Sequence, residues 1–126
     1  MAITNAGFAA MSDLLGDVNS VAAFSYLAVG TTATAFAVTQ TTLVAETTTV
    51  GLERAAATNT LATTSVADDT LQLTYTWTAT GSVTLAEVGV FNAASAGTML
   101  CRQVLGSTRA LTTGNTYTLT IKISFA

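Results

Sequence analysis

The sequence predicts a mainly β protein: an antiparallel β-sandwich or small, jelly-roll-like barrel carrying one short N-terminal helix. Three observations predict it. Residues 69–82 alternate, with Leu71, Leu73, Tyr75, Trp77 and Ala79 on one face and Thr70, Gln72, Thr74, Thr76, Thr78 and Thr80 on the other. Successive strand side chains point to opposite sides, so this is a strand with one apolar face. Residues 116–125 repeat the device, with Tyr117, Leu119, Ile121, Ile123 and Phe125 opposing Thr116, Thr118, Thr120, Lys122 and Ser124. Finally, turn-forming residues recur about every ten residues after the N-terminal segment, a spacing suited to short antiparallel strands.

Taken in order, residues 3–15 form the helix, because Phe8, Met11 and Leu15 share one stripe at helical spacing. Thr4 or Asn5 caps its start and Gly16 ends it. The helix is too short to hold alone and must pack on something. Residues 23–29 read as a strand ending at Gly30. Residues 31–42, rich in Thr and Ala, read as a long loop, and 43–47 as a turn of helix. Residues 51–65 read as a poorer strand, since alanine packs weakly in sheets. Ala67, Asp68 and Asp69 turn the chain into the alternating strand. Residues 83–92 are a further strand, 93–97 a hairpin loop of small residues, and 98–105 the antiparallel return. A last long turn occupies 106–115. Residues 1–20 are thus a helical arm, and 21–126 the sandwich.

The composition is unusual in its charge. Only 9% of residues are charged, and the net charge is −3, against about 25% charged in an average soluble domain. About one residue in five is threonine. Three arginines and one lysine make no basic stripe, which argues against nucleic-acid binding. The first ten residues lack a basic region followed by an apolar run, so they do not read as a secretory signal. No segment is apolar for long enough to cross a bilayer as a helix. A membrane β-barrel would share the alternation, but aromatic girdles are missing.

Candidate chemistry is sparse. There is no histidine, which removes the commonest general base and metal ligand. Cys101 is the single cysteine; it stands mid-strand among apolar residues and reads as buried and inert. Asp68 and Asp69 are the one adjacent acidic pair, but they lack calcium-loop spacing and read as a turn. Glu87 lies inside a predicted strand, where a carboxylate must be wet or paired. Arg102 on the expected partner strand is its candidate mate, within one chain or between two. Glu53 and Arg54 invite the same structural reading. No catalytic residue, cofactor site or metal site is expected, so the chain does not read as an enzyme.

The stretch AEVGVFNAASAGTMLCRQVL (residues 86–105) resembles a hairpin motif of small phage structural proteins and of collar-type domains in phage tail fibres. The matching positions are Glu87, Val88, Gly89, Val90, Phe91, Asn92, Gly97, Thr98, Met99, Leu100 and Arg102. The style of the likeness extends over residues 24–126. The resemblance implies a virion structural protein, a β-sandwich assembling as a homotrimer; the lack of a signal-like or bilayer-length segment sets the expectation that it is made in the host cytoplasm.

From the residues themselves, a sheet face of uncharged threonine lacks the charged guards that keep sheets from associating. Assembly is therefore expected. The leading expectation is a capsid decoration (cement) protein on the outside of a phage head, binding the major capsid protein and other copies of itself. Its expected interface residues are Phe8, Met11 and Leu15 on the helix, Thr74, Thr76 and Thr78 on the hydroxyl face, and Glu87 and Arg102. The alternatives are a tail or tail-fibre adaptor and, from another class, a carbohydrate-binding β-sandwich.

Overall fold

A computed structural model describes residues 2–126. The chain builds, in order, β1 (Ala2–Ile3), α1 (Asn5–Gly16), β2 (Tyr26–Gly30), β3 (Ala55–Ala56), β4 (Thr58–Ala62), β5 (Thr70–Thr78), β6 (Val83–Phe91), β7 (Met99–Leu111) and β8 (Thr116–Ser124). These form two antiparallel sheets, one ordered β1-β7-β6-β2-β3 and the other β4-β5-β8. The fold is the expected antiparallel sandwich with a short N-terminal helix. The chain crosses between sheets at Ala57, whose N–H donates to Ser25 O at 2.8 Å.

The two alternating strands pair directly, β5 with β8, over nine residue pairs from Thr70↔Ser124 to Thr78↔Thr116. Their apolar faces supply Leu73, Trp77, Leu119 and Ile121 to the main core, opposite Leu27, Val29, Leu85, Val88 and Val90 of the larger sheet. Trp77 buries its ring, and its Nε1–H donates to Glu53 O at 2.8 Å, which satisfies the one polar atom that burial would otherwise strand.

β6 differs from a half-buried strand: every residue from Leu85 to Phe91 is buried. Val88 and Val90 face the main core, while Phe91 joins Ala28, Leu43 and Met99 in a second cluster. The cover on that side is the loop after β2. It doubles back so that Thr31 N donates to Ala45 O and Thr47 N to Val29 O. The turn of helix expected at 43–47 is absent; Glu46 instead bridges to Gly30 as an isolated β-pair. Gly89 makes room for this cover, since a Cβ there would sit 2.8 Å from Leu43 Cδ2.

The helix packs on the larger sheet, as its shortness requires. β1 pairs with β7 through Ala2↔Arg102 and Ile3↔Cys101, and Thr4 N donates to Leu100 O at 3.0 Å. Thr4 is the N-cap: its buried hydroxyl accepts from Gly7 N at 2.9 Å and donates to Met99 O at 2.7 Å. One side chain therefore both starts the helix and fastens it to the sheet. The stop falls one residue later than expected, with Asp17 in the left-handed conformation (φ 52°) after Gly16.

Other boundaries also shift. The strand expected at 23–29 is β2 at Tyr26–Gly30, and the one expected at 51–65 is the shorter pair β3 and β4. β7 runs on to Leu111 through the expected turn, because it continues to pair with β6 from Leu85↔Arg109 to Val83↔Leu111 beyond a bulge. The turn proper is short: Asn115 Oδ1 accepts from Thr112 N at 2.8 Å, and Gly114 takes φ 90°, a conformation that glycine adopts without strain.

Candidate functional site

The charged side chains are the natural place to look for chemistry, and several are engaged in folding. Glu87 and Arg102 meet at 3.1 Å with no side-chain surface exposed on either. Glu87 also accepts from Val44 N at 2.9 Å and Ala45 N at 3.0 Å. Its two oxygens thus hold the covering loop on one side and the arginine on the other. The pair lies within one chain, which answers the question the sequence left open. Neither residue offers surface to a partner, so their expected place in an interface is corrected to a place in the interior. Arg102 Nη1 reaches Gln40 Oε1 at 3.4 Å.

Arg54 performs the corresponding task for the β6–β7 hairpin. Its partner is not the neighbouring Glu53 but Glu46, with Nε–Oε2 at 3.1 Å and Nη2–Oε1 at 2.7 Å. The third nitrogen donates to Ala93 O at 3.1 Å and Ala96 O at 2.8 Å. The guanidinium carbon lies 3.6 Å from the centroid of the Phe91 ring, a stacked cation–π contact. A planar fork with five donors suits this combination of carboxylate, carbonyls and ring. Glu46 is the residue sequence reasoning missed. It lies in an irregular loop where no periodicity advertises a partner.

Asp69 closes the turn before β5. Its carboxylate accepts from Thr64 N and Ser65 N at 2.8 Å and from Val66 N at 2.9 Å. These backbone donors hold its pKa well below the ordinary carboxylate value. Asp68, beside it, takes φ 59°. Among the described residues, no group of three His, Cys, Asp or Glu side chains stands close enough to hold a metal. Cys101 is buried, and desolvation pushes its thiol up to about 12.

Two surfaces remain. The first is the outer face of the three-stranded sheet. Phe125 N donates to Asp69 O and Ala79 N to Asn115 O, which makes the odd-numbered β5–β8 pairs the hydrogen-bonded ones. The even pairs are then the non-hydrogen-bonded ones, where side chains approach most closely. All of the directly opposed threonines fall there: Thr74↔Thr120, Thr76↔Thr118 and Thr78↔Thr116. Two of these pairs join hydroxyls, Thr76 to Thr118 at 2.8 Å and Thr74 to Thr120 at 3.2 Å. Thr58 and Thr60 of β4 extend the rows through Thr58↔Thr74 and Thr60↔Gln72. Lys122, opposite Gln72, is the one charged residue on these rows. β8 is the last strand of its sheet, so its even residues turn their backbone N–H and C=O groups to an unpaired edge.

The second surface is apolar. Phe8 is 56% exposed, Leu15 88% and Phe125 64%, with Leu14 and Val18 also exposed. Phe8 and Leu15 therefore lie outward, as the helical stripe allows, while Met11 is half-buried. The helix docks through Gly7 and Ala10 instead. Phe125 was expected on the core face of its strand, but it lies beyond the end of β8 and overhangs the sandwich. Beside these residues a slot of about 180 Å³ opens between α1 and the end of β8, lined by Met11, Leu14, Phe24, Leu71, Ile123 and Phe125 among others. It continues into a shallower cleft of about 330 Å³ bounded by Met11, Leu14, Leu15 and Phe125.

The aromatic residues that could have formed a ligand platform are turned inward: Trp77 is buried, Tyr75 and Tyr117 are half-buried, and both rings lie beside it. Among the described residues, no helix is long and apolar enough to cross a membrane. The class this geometry defines is a β-sandwich in which five ionised groups staple its own loops, with a charge-poor threonine face and an apolar cleft left over. No protein-family model matches the chain, and no curated protein matches it.

Proposed function

We propose that this chain is a structural protein of a phage virion, a capsid decoration (cement) protein that assembles as a homotrimer on the head exterior and binds the major capsid protein. The observation that carries the reading is the threonine face of β4, β5 and β8. Burying a charge against another protein is costly unless it is paired. A face with one lysine escapes that cost. Thr74, Thr76, Thr118 and Thr120 already satisfy one another in pairs, so excluding water from them strands fewer polar atoms. The adjacent unpaired edge of β8 offers backbone donors and acceptors as well. The mechanism is adhesion: copies of the face lie on seams between capsid subunits and resist their separation.

The hairpin of residues 86–105 supports the family resemblance, but its residues act inside the fold. Glu87 and Arg102 staple a loop, and Gly89 makes room for Leu43. The resemblance therefore speaks to architecture more than to partner. The same hairpin favours a second reading, a tail or tail-fibre component. Immunogold microscopy of intact particles separates head from tail.

The direct test places a charge pair on the face without disturbing the sheet. Thr76→Lys with Thr118→Glu sets opposite charges directly across from each other, which a sheet tolerates. Co-sedimentation with heads lacking the protein is expected to fall at least tenfold, with the circular dichroism unchanged. Undiminished binding by this variant, or a particle label confined to the tail, overturns the decoration reading.

A further inference from the structure

The self-association in that reading requires a surface, and the threonine face is already assigned to the capsid. We infer that the apolar face formed by α1 and Phe125 is where a second copy of this chain docks. The inference rests on the proposed function only for the statement that copies associate; the surface itself comes from the packing of the helix.

The first argument is area. A large aromatic side chain buries about 150–250 Å², and Phe8 and Phe125 are each more than half exposed. Together with Leu14, Leu15 and Val18, the patch amounts to about 500 Å² per copy, at the upper end of what a free monomer shows. Two copies would remove about 1,000 Å² from water, which reaches the threshold for a specific interface.

The second argument is shape. The same patch contains both protruding side chains and a recess. Leu15 and Phe8 stand out from the helix, and next to them the slot between Leu14, Ile123 and Phe125 runs inward to Phe24 and Leu71. One copy's protruding leucine or phenylalanine has the size and polarity to enter the slot of the next. A protrusion and a recess on the same patch allow each copy to engage the next around a closed ring.

The third argument is charge. Asp13, the acidic residue within α1, lies well around the helix from the Phe8–Leu15 stripe by helical spacing, and its carboxylate accepts from Asn19 Nδ2 at 3.1 Å. Like charges are therefore not forced together when two apolar stripes meet. The charge beside the patch is Asp17, exposed at the helix C-cap next to Val18, while the Phe8–Leu15 stripe itself offers a second copy an apolar surface like its own.

The test uses the full chain. Light scattering is expected to give a mass that is a multiple of the single chain. Leu15→Asp is expected to reduce it to one chain with unchanged circular dichroism, because Leu15 is almost wholly exposed. Thr118→Asp, on the threonine face and not in the apolar patch, is expected to leave it unchanged. A second measurement needs no variant: amide exchange of residues 8–18 and 123–126 is expected to slow as wild-type concentration rises. A wild-type chain that remains single at about 100 µM overturns the inference, as does a Leu15→Asp chain of full mass. A full-mass Leu15→Asp chain that has lost capsid binding assigns the patch to the capsid and also overturns it. Capsid binding by monomeric Leu15→Asp reads the decoration hypothesis separately, since the threonine face is intact in that variant.

Discussion

Glu87 and Arg102 stand two strands' side chains into the interior, 3.1 Å apart, and each has lost all contact with solvent. The strand register sets Glu87 opposite Val104 and Arg102 opposite Gly89, so the two charges meet diagonally, and Gly30 leaves room for the carboxylate, since a Cβ there would sit 2.7 Å from Glu87 Cγ. A carboxylate and a guanidinium removed from water repay the cost only when their remaining bonding capacity is met. Here the carboxylate takes two loop amides as well as the arginine, whereas Arg102 Nη2 is buried without a hydrogen-bond partner among the described residues. The charge pair is therefore one of the points at which the loop of residues 31–49 is fastened to the larger sheet, beside Thr47 N to Val29 O.

Replacing Glu87 by Met is expected to destabilise the fold by about 3–5 kcal/mol, because it leaves the Arg102 charge buried and unpaired. It also strands the N–H groups of Val44 and Ala45. The double replacement, with Arg102→Met as well, is expected to cost less than the sum of the single ones. Urea unfolding of the four proteins checks this, and exchange at the amides of residues 44 and 45 should accelerate in both variants lacking Glu87.

Asp69 predicts an acid-sensitive turn. Its three backbone donors lower its folded pKa below the ordinary value of 3.8. The ionised form is thus favoured by folding, and its contribution is present above the unfolded pKa and lost as pH falls through the folded one. Asp69→Asn is expected to unfold at a lower temperature than wild type at pH 7, with the difference shrinking below about pH 4. Melting curves across that range decide it; a difference that is constant with pH would contradict the assignment.

Cys101 predicts the opposite end of the scale. Burial raises its thiol to about 12 from an ordinary value of 9.0, so the folded chain holds its proton more tightly than the unfolded one. The associated stability is complete below pH 9 and is lost as pH rises further. The native thiol should resist an aromatic disulfide reagent at pH 8 and react only as fast as the chain opens. Cys101→Ala should flatten the alkaline loss of stability, at the cost of a small cavity.

The strands were legible where one face met water. The alternation of 69–82 and 116–125 marks β5 and β8 and their inward residues. β6 was placed to within a residue although it is buried on both sides, because turn residues bracket it. The covering loop left no such trace: nothing periodic in residues 31–49 says that Leu43 packs on Phe91 or that Glu46 meets Arg54. Glu87 and Arg102 could be matched because two adjacent strands restrict their partners. Whether they bridged two chains needed the third dimension, as did the seat of the helix. Its apolar stripe points to Phe8 and Leu15 as contacts, but small size, not hydrophobicity, decides which side of α1 touches the sheet.

That last point makes Gly7 the sharpest test of the helix. In an exposed helix, glycine to alanine stabilises by about 1 kcal/mol. At Gly7 the added Cβ would collide with the carbonyl oxygen of Leu100 and come within 3.0 Å of Ile3 Cγ2. The carbonyl cannot move aside freely, because Thr4 N donates to it at 3.0 Å and β1 pairs with β7 immediately beyond. Gly7→Ala is therefore expected to destabilise by about 1–3 kcal/mol, as overpacking does, despite its better helix propensity. Ser12→Ala, on the exposed side of the same helix, is the control and should change stability by less than about 0.5 kcal/mol. Denaturant midpoints of the two variants give the answer. If Gly7→Ala proved as stable as wild type, α1 would not be seated on β7 through Gly7.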